Sequence, residues 1–307
     1  MNISVTLGVE FDEGLARAVV LDPGGTLVAQ AEHAAPEPSD AVVHAARAAL
    51  SAAGVNAPGA VGVAVADPQA RVWSSAFDAL AGALGAASCE PVLSCGNAAV
   101  LAEAWCGAGQ GCAHLVAFSV GRRVSAGVIS EGRLLSGAHG LGSSVAWLAL
   151  NPVEREDYRR LGCLEAEAGA AGIVRRLVWR IKAGDRSRVL DMAAGDLGAI
   201  TIDHVLNGAR DGDGVAISVI RDTVKYLGMA VSNIAAVVDP EVVVLGGIVL
   251  SAGDLLLEPI RLECARRMPP AMLTRIRIEL STLGVNAPAI GAARHAMASG
   301  RDRPVGG

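Results

Sequence analysis

The chain has 307 residues, of which 52% are hydrophobic and 19% are charged, and its net charge is −5 at pH 7. The apolar fraction excludes a disordered chain, and the length predicts about two domains. The acidic balance offers no surface for a nucleic-acid backbone, and the apolar runs are shorter than the roughly 18 residues that span a membrane. With no secretory signal in the sequence, we expect a cytoplasmic protein whose partner is neither nucleic acid nor membrane.

The six cysteines are spread along the chain without a Cys-x-x-Cys spacing. This pattern favours neither a disulfide framework nor a zinc knuckle. We expect most of the six, which are Cys89, Cys95, Cys106, Cys112, Cys163 and Cys264, to be buried free thiols.

The sequence of the first third of the chain predicts strands that are followed by helices, as in an α/β fold. Alternating or continuous apolar runs bounded by turn residues indicate strands, and alanine-rich stretches after polar caps indicate helices. The predicted strands are Ile3–Glu10, Ala16–Leu21, Thr26–Ala31, Ala60–Ala66 and Pro91–Ser94, and the predicted helices are Asp40–Ala53 and Asn97–Cys106. The glycine-rich stretch Gly107–Gly111 marks the predicted domain boundary.

The same order recurs in the remainder of the chain. The predicted strands are Leu115–Ser119, Val124–Ser130, Glu241–Leu245 and Arg275–Leu280, and the predicted helices are Glu165–Lys182, Ile202–Gly208, Val215–Val238, one from a Ser251 cap to Arg267, and a closing helix near 290–298. Two successive segments with this order of strands and helices predict two α/β lobes, at residues 1–108 and 109–289. We expect the closing helix to pack on the first lobe and a ligand to bind in a cleft between the lobes.

Three turns after strands are candidates for phosphate contact: Glu10–Gly14, Gly121–Ser125 and Gly246–Gly247. Glycine lets backbone N–H groups approach an anion closely, and a helix that starts there adds a favourable dipole. Such turns are also common in folds that bind no phosphate.

At this point the chain resembles the ROK family (repressor, open reading frame, kinase). The resemblance covers nearly the full length and is carried by four segments: Asn97–Trp105, Gly132–Gly140, Gly162–Glu165 and Asp239–Gly247. It implies the two-lobed actin-like ATPase fold that the family shares with hexokinases, and a homodimer. Because the chain opens on a strand where the family's repressors carry a helix-turn-helix, the resemblance is to the sugar-kinase branch.

The family's catalytic aspartate lies in an Asn-Asp-x-Asn stretch, and the matching stretch here is Ser94–Asn97. The resemblance therefore places Cys95 at the position of the catalytic base and keeps Asn97 as a ligand-binding position. A carboxylate accepts the sugar hydroxyl proton during phosphoryl transfer, and a thiol with a pKa of about 8.5 is a poorer acceptor.

The family's phosphate loops are altered as well. Its Asp-x-Gly-Gly-Thr loop falls on Glu10–Gly14, where two added carboxylates would repel phosphate. Its Gly-Thr-Gly-x-Gly loop falls on Gly121–Ser125, where Arg122 and Arg123 either hold an anion or form a solvated turn. The nucleotide-side turn Gly246–Gly247 is kept. Together, the altered loops argue against binding of ATP and magnesium.

The family's sugar and zinc motifs are also reduced. Its Gly-Glu-x-Gly-His stretch falls on 143–147, so that Ser144 and Trp147 replace the glutamate and the histidine. Glu165 remains as a sugar ligand position, and His139 lies in a matched glycine loop. The family's zinc-binding cysteines fall on Glu156, Tyr158 and Cys163, and a structural zinc needs four ligands. We expect no zinc, with Glu156 and Tyr158 as ordinary surface residues.

Three functions stay open. The first is a pseudokinase that binds a small ligand in the cleft and acts by binding or regulation. The second is a repurposed enzyme, with Cys95 as nucleophile or acid and Arg122 and Arg123 as an anion site. The third is an ATP-dependent sugar kinase that uses a displaced carboxylate. Candidates for that carboxylate are Glu10, Asp12 and Asp67.

Overall fold

A computed structural model describes residues 5–12, 14–68, 73–85 and 92–301, with the side chains of 299–301 excepted. The described chain forms two compact units. Unit 1 extends to Ala117 and also contains Ala126–Ser136 and the residues from Ser281 onward, whereas unit 2 contains Phe118–Ser125 and Gly137–Leu280. The division predicted from the sequence at residues 108 and 289 stays a prediction.

Unit 1 is built around a five-stranded sheet with the strand order β3-β2-β1-β4-β5. Strands β1 and β2 are antiparallel neighbours, and β1 and β4 are parallel. The first elements in the chain are β1 (Thr6–Asp12), β2 (Leu15–Leu21), β3 (Leu27–Ala34), α1 (Pro38–Ala52), β4 (Ala60–Val65), α2 (Trp73–Leu84), β5 (Val92–Ser94) and α3 (Cys95–Cys106). The predicted strands and helices of this region are confirmed, except that Ile3 and Pro91 lie outside the described residues.

A second five-stranded sheet has the order β10-β9-β6-β7-β8. Short 3-10 turns lie at Val145–Trp147, Leu197–Ala199 and Gly284–Asn286. The elements that follow α3 are β6 (Leu115–Val120), β7 (Val124–Ser130), β8 (Arg133–Leu134), α4 (Glu156–Leu161), α5 (Cys163–Ala168), α6 (Ala170–Lys182), α7 (Val189–Met192), α8 (Ile202–Arg210), α9 (Gly214–Val238), β9 (Val242–Gly247), α10 (Ile248–Ser251), α11 (Gly253–Ala265), α12 (Pro270–Leu273), β10 (Arg277–Leu280) and α13 (Ala287–Arg301).

Two helix predictions are wrong in detail. The single helix Glu165–Lys182 is divided into α5 and α6, because Gly169 adopts an extended backbone with φ −67° and ψ 158°. Ser251 does not begin the next helix but ends α10, where its hydroxyl donates to the carbonyl of Ile248 at 3.2 Å. Serine favours helix ends through such local bonds, and the sequence did not show which end it occupies.

Small residues allow the closing helix α13 to pack closely in unit 1, where it contacts α3, β1 and β4. A Cβ atom on Gly291 would lie 1.7 Å from the carbonyl oxygen of Ala98, so no larger residue fits between α13 and α3. The helix thereby packs against β1 and the first turns of α3, the two elements that carry the candidate site of this unit. Within the described residues, no helix combines the length and apolar character needed to cross a membrane.

Candidate functional site

In unit 1, candidate residues meet at the end of β1 and the start of α3. Helix α3 follows β5 without a loop, and its cap Ser94 accepts a hydrogen bond from the backbone N–H of Asn97 at 3.2 Å. Gly96 lets this helix start approach β7, since a Cβ atom there would lie 2.1 Å from the carbonyl oxygen of Ala126. The backbone therefore fixes the place of Cys95, the first residue of α3.

Glu10 is the buried carboxyl of this cluster, with 6% of its surface exposed. It faces Arg17 across the β1–β2 pair, and its Oε2 lies 3.3 Å from a guanidinium nitrogen of that residue. Burial raises the pKa of Glu10 to about 7, although the charge of Arg17 opposes the rise. Near neutral pH the residue therefore exists in both its protonated and its ionised form.

Cys95 is buried against this carboxyl, and the thiol and Glu10 are hydrogen-bonded. Burial raises the pKa of Cys95 well above its ordinary value, and the nearby carboxylates of Glu10 and Asp12 raise it further. Reactive cysteines need the opposite surroundings, namely cations that lower the thiol pKa. Cys95 is thus a neutral thiol at physiological pH, unable to accept a proton and poorly suited to act as a nucleophile.

Asn97 lies two residues further along α3 and is 7% exposed. Its side-chain oxygen Oδ1 is buried and has no hydrogen-bond partner among the described residues. Buried amides are usually paired, so an unmet acceptor marks a place where a ligand hydroxyl or amine would gain a hydrogen bond. Asp67 is the third candidate for a displaced catalytic carboxylate. It follows β4 and, in contrast to Glu10 and Asn97, it is exposed.

In unit 2, the turn between β6 and β7 is held from two sides. The carboxylate oxygen Oε2 of Glu165 accepts a hydrogen bond from the backbone N–H of Val124 at 2.9 Å, and the N–H of Ala170 donates to the carbonyl of Gly121 at 2.9 Å. Arg122 and Arg123 are exposed on this turn. The structure thus brings Arg122, Arg123 and Glu165 together, and it gives Glu165 a structural role.

The nucleotide-side turn joins the same region of unit 2. Gly247 has φ +69°, and a Cβ atom there would lie 2.0 Å from the carbonyl oxygen of Val120 at the end of β6. Both conditions require glycine, because other residues rarely adopt this conformation and none fits the space. Gly246 precedes it in β9. The fold alone therefore accounts for Gly247, whereas a Cβ atom on Gly246 would meet only Ser119 at 3.4 Å, an ordinary contact distance.

The remaining candidates lie on the loop that precedes α4. His139, Ser144 and Trp147 are exposed there, and the hydroxyl of Ser144 donates to the carbonyl of Leu141 at 2.7 Å. Ser143 has φ +67°, a left-handed conformation that is costly for serine.

At the positions that the resemblance matched to a zinc motif, Glu156 is exposed, but the expectation of a surface Tyr158 is wrong. Tyr158 is buried against Cys163 and Ala166, its hydroxyl donates to Glu167 Oε1, and Arg155 lies 3.2 Å from the same oxygen. Burial, together with Glu167, raises the pKa of Tyr158. Among the described residues, no group of three or more histidine, cysteine, aspartate or glutamate side chains is arranged to hold a metal ion. The absence of zinc stays a prediction.

Two contacts of the site were missed from the sequence. Arg17 could have been found, because the turn between β1 and β2 sets a register that pairs it with Glu10. The bond between Glu165 and Val124 spans 41 residues, and nothing in the sequence indicated it.

Comparisons with known proteins agree with this architecture. The family model of the ROK family matches residues 43–299. A glucokinase from Halalkalibacterium halodurans is 32% identical over 197 residues, which are 64% of this chain and 59% of that protein. The DNA-binding transcriptional dual regulator NagC of Escherichia coli K12 is 32% identical over 161 residues, which are 52% of this chain and 38% of the regulator.

A solved structure extends the likeness to the whole fold. The ROK family glucokinase from Streptomyces griseus, in complex with glucose and AMPPNP, superposes with a TM-score of 0.78 at 26% identity, covering 95% of this chain and 99% of that one. The α/β actin-like ATPase fold predicted from the sequence is therefore confirmed. The chain spans about three fifths of the glucokinase of H. halodurans, so that protein's activity does not transfer with the likeness.

Proposed function

The chain belongs to the ROK family, and we propose that it is a pseudokinase of that family, which binds a small sugar-like ligand without phosphorylating it. The observation that carries this proposal is the state of Cys95. This residue stands where the family resemblance places the catalytic base, and burial keeps its thiol protonated. A general base must accept a proton near the operating pH, and its loss costs about 10²- to 10⁴-fold in rate.

The end of β1 supports the same conclusion. Asp12 lies where the resemblance places the first glycine of a phosphate loop, and its charge also raises the pKa of Cys95. A carboxylate at this place repels a nucleotide phosphate and competes with it for any cation. The unmet acceptor of Asn97 offers a hydrogen bond to a ligand hydroxyl. The unit is thus better suited to hold a polyhydroxyl ligand than a triphosphate.

The relatives include both kinases and regulators. NagC is named a transcriptional regulator, and its similarity to this chain supports a binding or regulatory role. The raised pKa of Cys95 counts against the repurposed enzyme with a cysteine nucleophile. The homodimer and the cytoplasmic location stay predictions, and sedimentation equilibrium tests the former.

Calorimetry and a coupled assay test the proposal. A panel of hexoses and amino sugars is titrated into the protein, and ADP release is followed with Mg-ATP. We expect at least one sugar to bind, no saturable heat with Mg-ATP up to millimolar concentration, and no sugar-dependent ADP release. In Asn97→Ala the sugar heat should be lost. Sugar-dependent ADP release would refute the pseudokinase, and no binding across the panel would refute the sugar-like ligand.

One observation favours an active sugar kinase as the second candidate. Glu10, with a pKa raised to about 7, touches the thiol at the base position, and a carboxylate with such a pKa is well matched to proton transfer at neutral pH. If ADP release is found, Glu10→Gln decides whether Glu10 is the base. A loss of at least about 10²-fold is then expected. Glu32→Gln, which removes the exposed partner of Arg17, is the matched control.

A further inference from the structure

A pocket with a volume of about 430 Å³ lies wholly within unit 2. One face of α9 lines it with Met229, Ser232 and Asn233, and the segment from the end of α11 into α12 adds Arg267, Met268 and Met272. The pocket shares no residue with the candidate site. Its size falls within the range of small-molecule sites, which combine an apolar body with a few polar groups.

The apolar wall of this pocket is unusual in composition. Three of the six methionines of the chain line it. Methionine side chains are flexible and polarizable, so that such a wall adapts to an aliphatic or aromatic body of varied shape. The pocket is therefore suited to a small apolar group rather than to a sugar ring.

Among the described residues, the polar side chains that line the pocket belong to Ser232, Asn233 and Arg267, and none of them is a carboxylate. Ser232 is 7% exposed, and its hydroxyl is hydrogen-bonded to the thiol of Cys264. Sulfur is a weak hydrogen-bond acceptor, so the hydroxyl would gain by donating to a charged ligand oxygen instead.

The charge at the pocket favours an anion. Glu263 is 7% exposed and accepts from two arginines, with Oε1 at 2.5 Å from Arg267 and Oε2 at 3.0 Å from Arg266. Two guanidinium groups share one carboxylate, so this group of three keeps one positive charge in excess. Arg267 presents that charge to the pocket, whereas the side chain of Arg266 is 74% exposed and does not line it.

We propose that this pocket binds a small amphipathic carboxylate, whose carboxylate group is held by Arg267, Asn233 and Ser232 and whose apolar body lies against the methionines. All three polar groups can donate to a carboxylate oxygen, and bonds to a charged acceptor are the stronger kind. This site goes beyond the proposed function, because it uses none of the residues argued to bind the sugar-like ligand.

Calorimetric titration with octanoate tests the proposal, with octanamide as the neutral ligand of the same shape. We expect octanoate to bind the wild-type protein at least about 10-fold more tightly than octanamide, since loss of the charge on the ligand removes the contact with Arg267. Arg267→Gln should weaken octanoate binding by about 10-fold, and Ser232→Leu should abolish it by filling the pocket. Arg266→Gln is the matched control and should change the affinity by less than about 2-fold.

Four results would overturn the proposal. They are no octanoate binding to the wild-type protein, equal binding of octanamide, equal losses in Arg266→Gln and Arg267→Gln, and octanoate binding that coincides with dissociation of a dimer in sedimentation. The last result would mean that a second copy of the chain occupies this face. The exposed Arg267 variant keeps the test valid if Ser232→Leu fails to fold, and the melting temperature of each variant checks its folding.

Discussion

Replacing Glu10 by glutamine tests whether burial controls the ionisation of the candidate site. In the folded protein the pKa of Glu10 is raised from 4.5 to about 7, because its carboxyl is buried. A raised carboxyl pKa means that the folded state prefers the protonated form. The stability that the protonated carboxyl of Glu10 contributes is therefore fully present below pH 4.5 and is lost as the pH rises to about 7.

The magnitude follows from the two pKa values. At about 1.4 kcal/mol for each pH unit, the rise from 4.5 to about 7 amounts to about 3 kcal/mol. Glutamine resembles the protonated carboxyl in shape and does not titrate. We therefore expect Glu10→Gln to match the wild-type free energy of unfolding near pH 4.5 and to exceed it by up to about 3 kcal/mol at pH 8.

Urea denaturation between pH 4.5 and pH 8.5 measures this difference. Trp73 reports on unit 1, because its ring is buried and its centroid lies 5.1 Å from that of Phe11, the neighbour of Glu10. Glu32→Gln is the control, since the side chain of Glu32 pairs with the same Arg17 but is 52% exposed. Such a pair contributes about 1 kcal/mol at most, so this variant should show only a small change.

A difference between wild type and Glu10→Gln that stays constant from pH 4.5 to pH 8.5 would refute the argument. So would a variant that is less stable than the wild type at pH 8. Either result would mean that the carboxyl of Glu10 is ionised at low cost, so that its negative charge stands beside Cys95 at neutral pH and raises the pKa of that thiol.

Three further outcomes are expected. Iodoacetamide, followed by peptide mass mapping, should label half-buried Cys112 well before Cys95, whose thiol is buried and protonated, and equal rates would contradict this. Glu165→Ala should lower the free energy of unfolding by about 1.5 to 3 kcal/mol through loss of the bond to Val124, whereas Glu165→Gln keeps an acceptor oxygen and should lose less. Ser143→Gly should raise the free energy of unfolding by about 1 kcal/mol, because glycine adopts the positive φ of this position without strain. Ser144 has a negative φ, so Ser144→Gly should lower the free energy of unfolding. Urea denaturation measures both changes.

Much of the fold could be predicted because its signals are local. Helix α9 was predicted at 215–238 from its apolar period and from the stop at Asp239 and Pro240, and it spans Gly214–Val238. Helix α2 was missed, although its buried residues Trp73, Ala76, Leu80 and Leu84 follow a helical spacing. Its serines and glycine weakened the pattern, and packing in the core of unit 1 stabilises it instead.

The candidate site could be predicted only as a set of positions. Family motifs identified Cys95 and Glu165, but the chemistry of each depends on a partner that is distant in sequence. Glu10 meets Cys95 only when β1 lies near the start of α3, and Glu165 meets Val124 only when α5 packs against the turn after β6. No single segment contains this information, because burial and charge arise from the assembled unit.

The neutral thiol of Cys95 and the raised pKa of Glu10 depend on each other. An ionised aspartate at position 95 would stand beside Glu10 and Asp12 in a buried place, and like charges at close range raise one another's pKa values. A neutral thiol at Cys95 removes that repulsion. The replacement Cys95→Asp should therefore destabilise the protein at pH 8 and restore no kinase activity, whereas Glu10→Gln added to it should recover most of the lost stability. A double-mutant cycle in urea measures this coupling. Additive effects of the two substitutions would show that the thiol and the carboxyl do not interact.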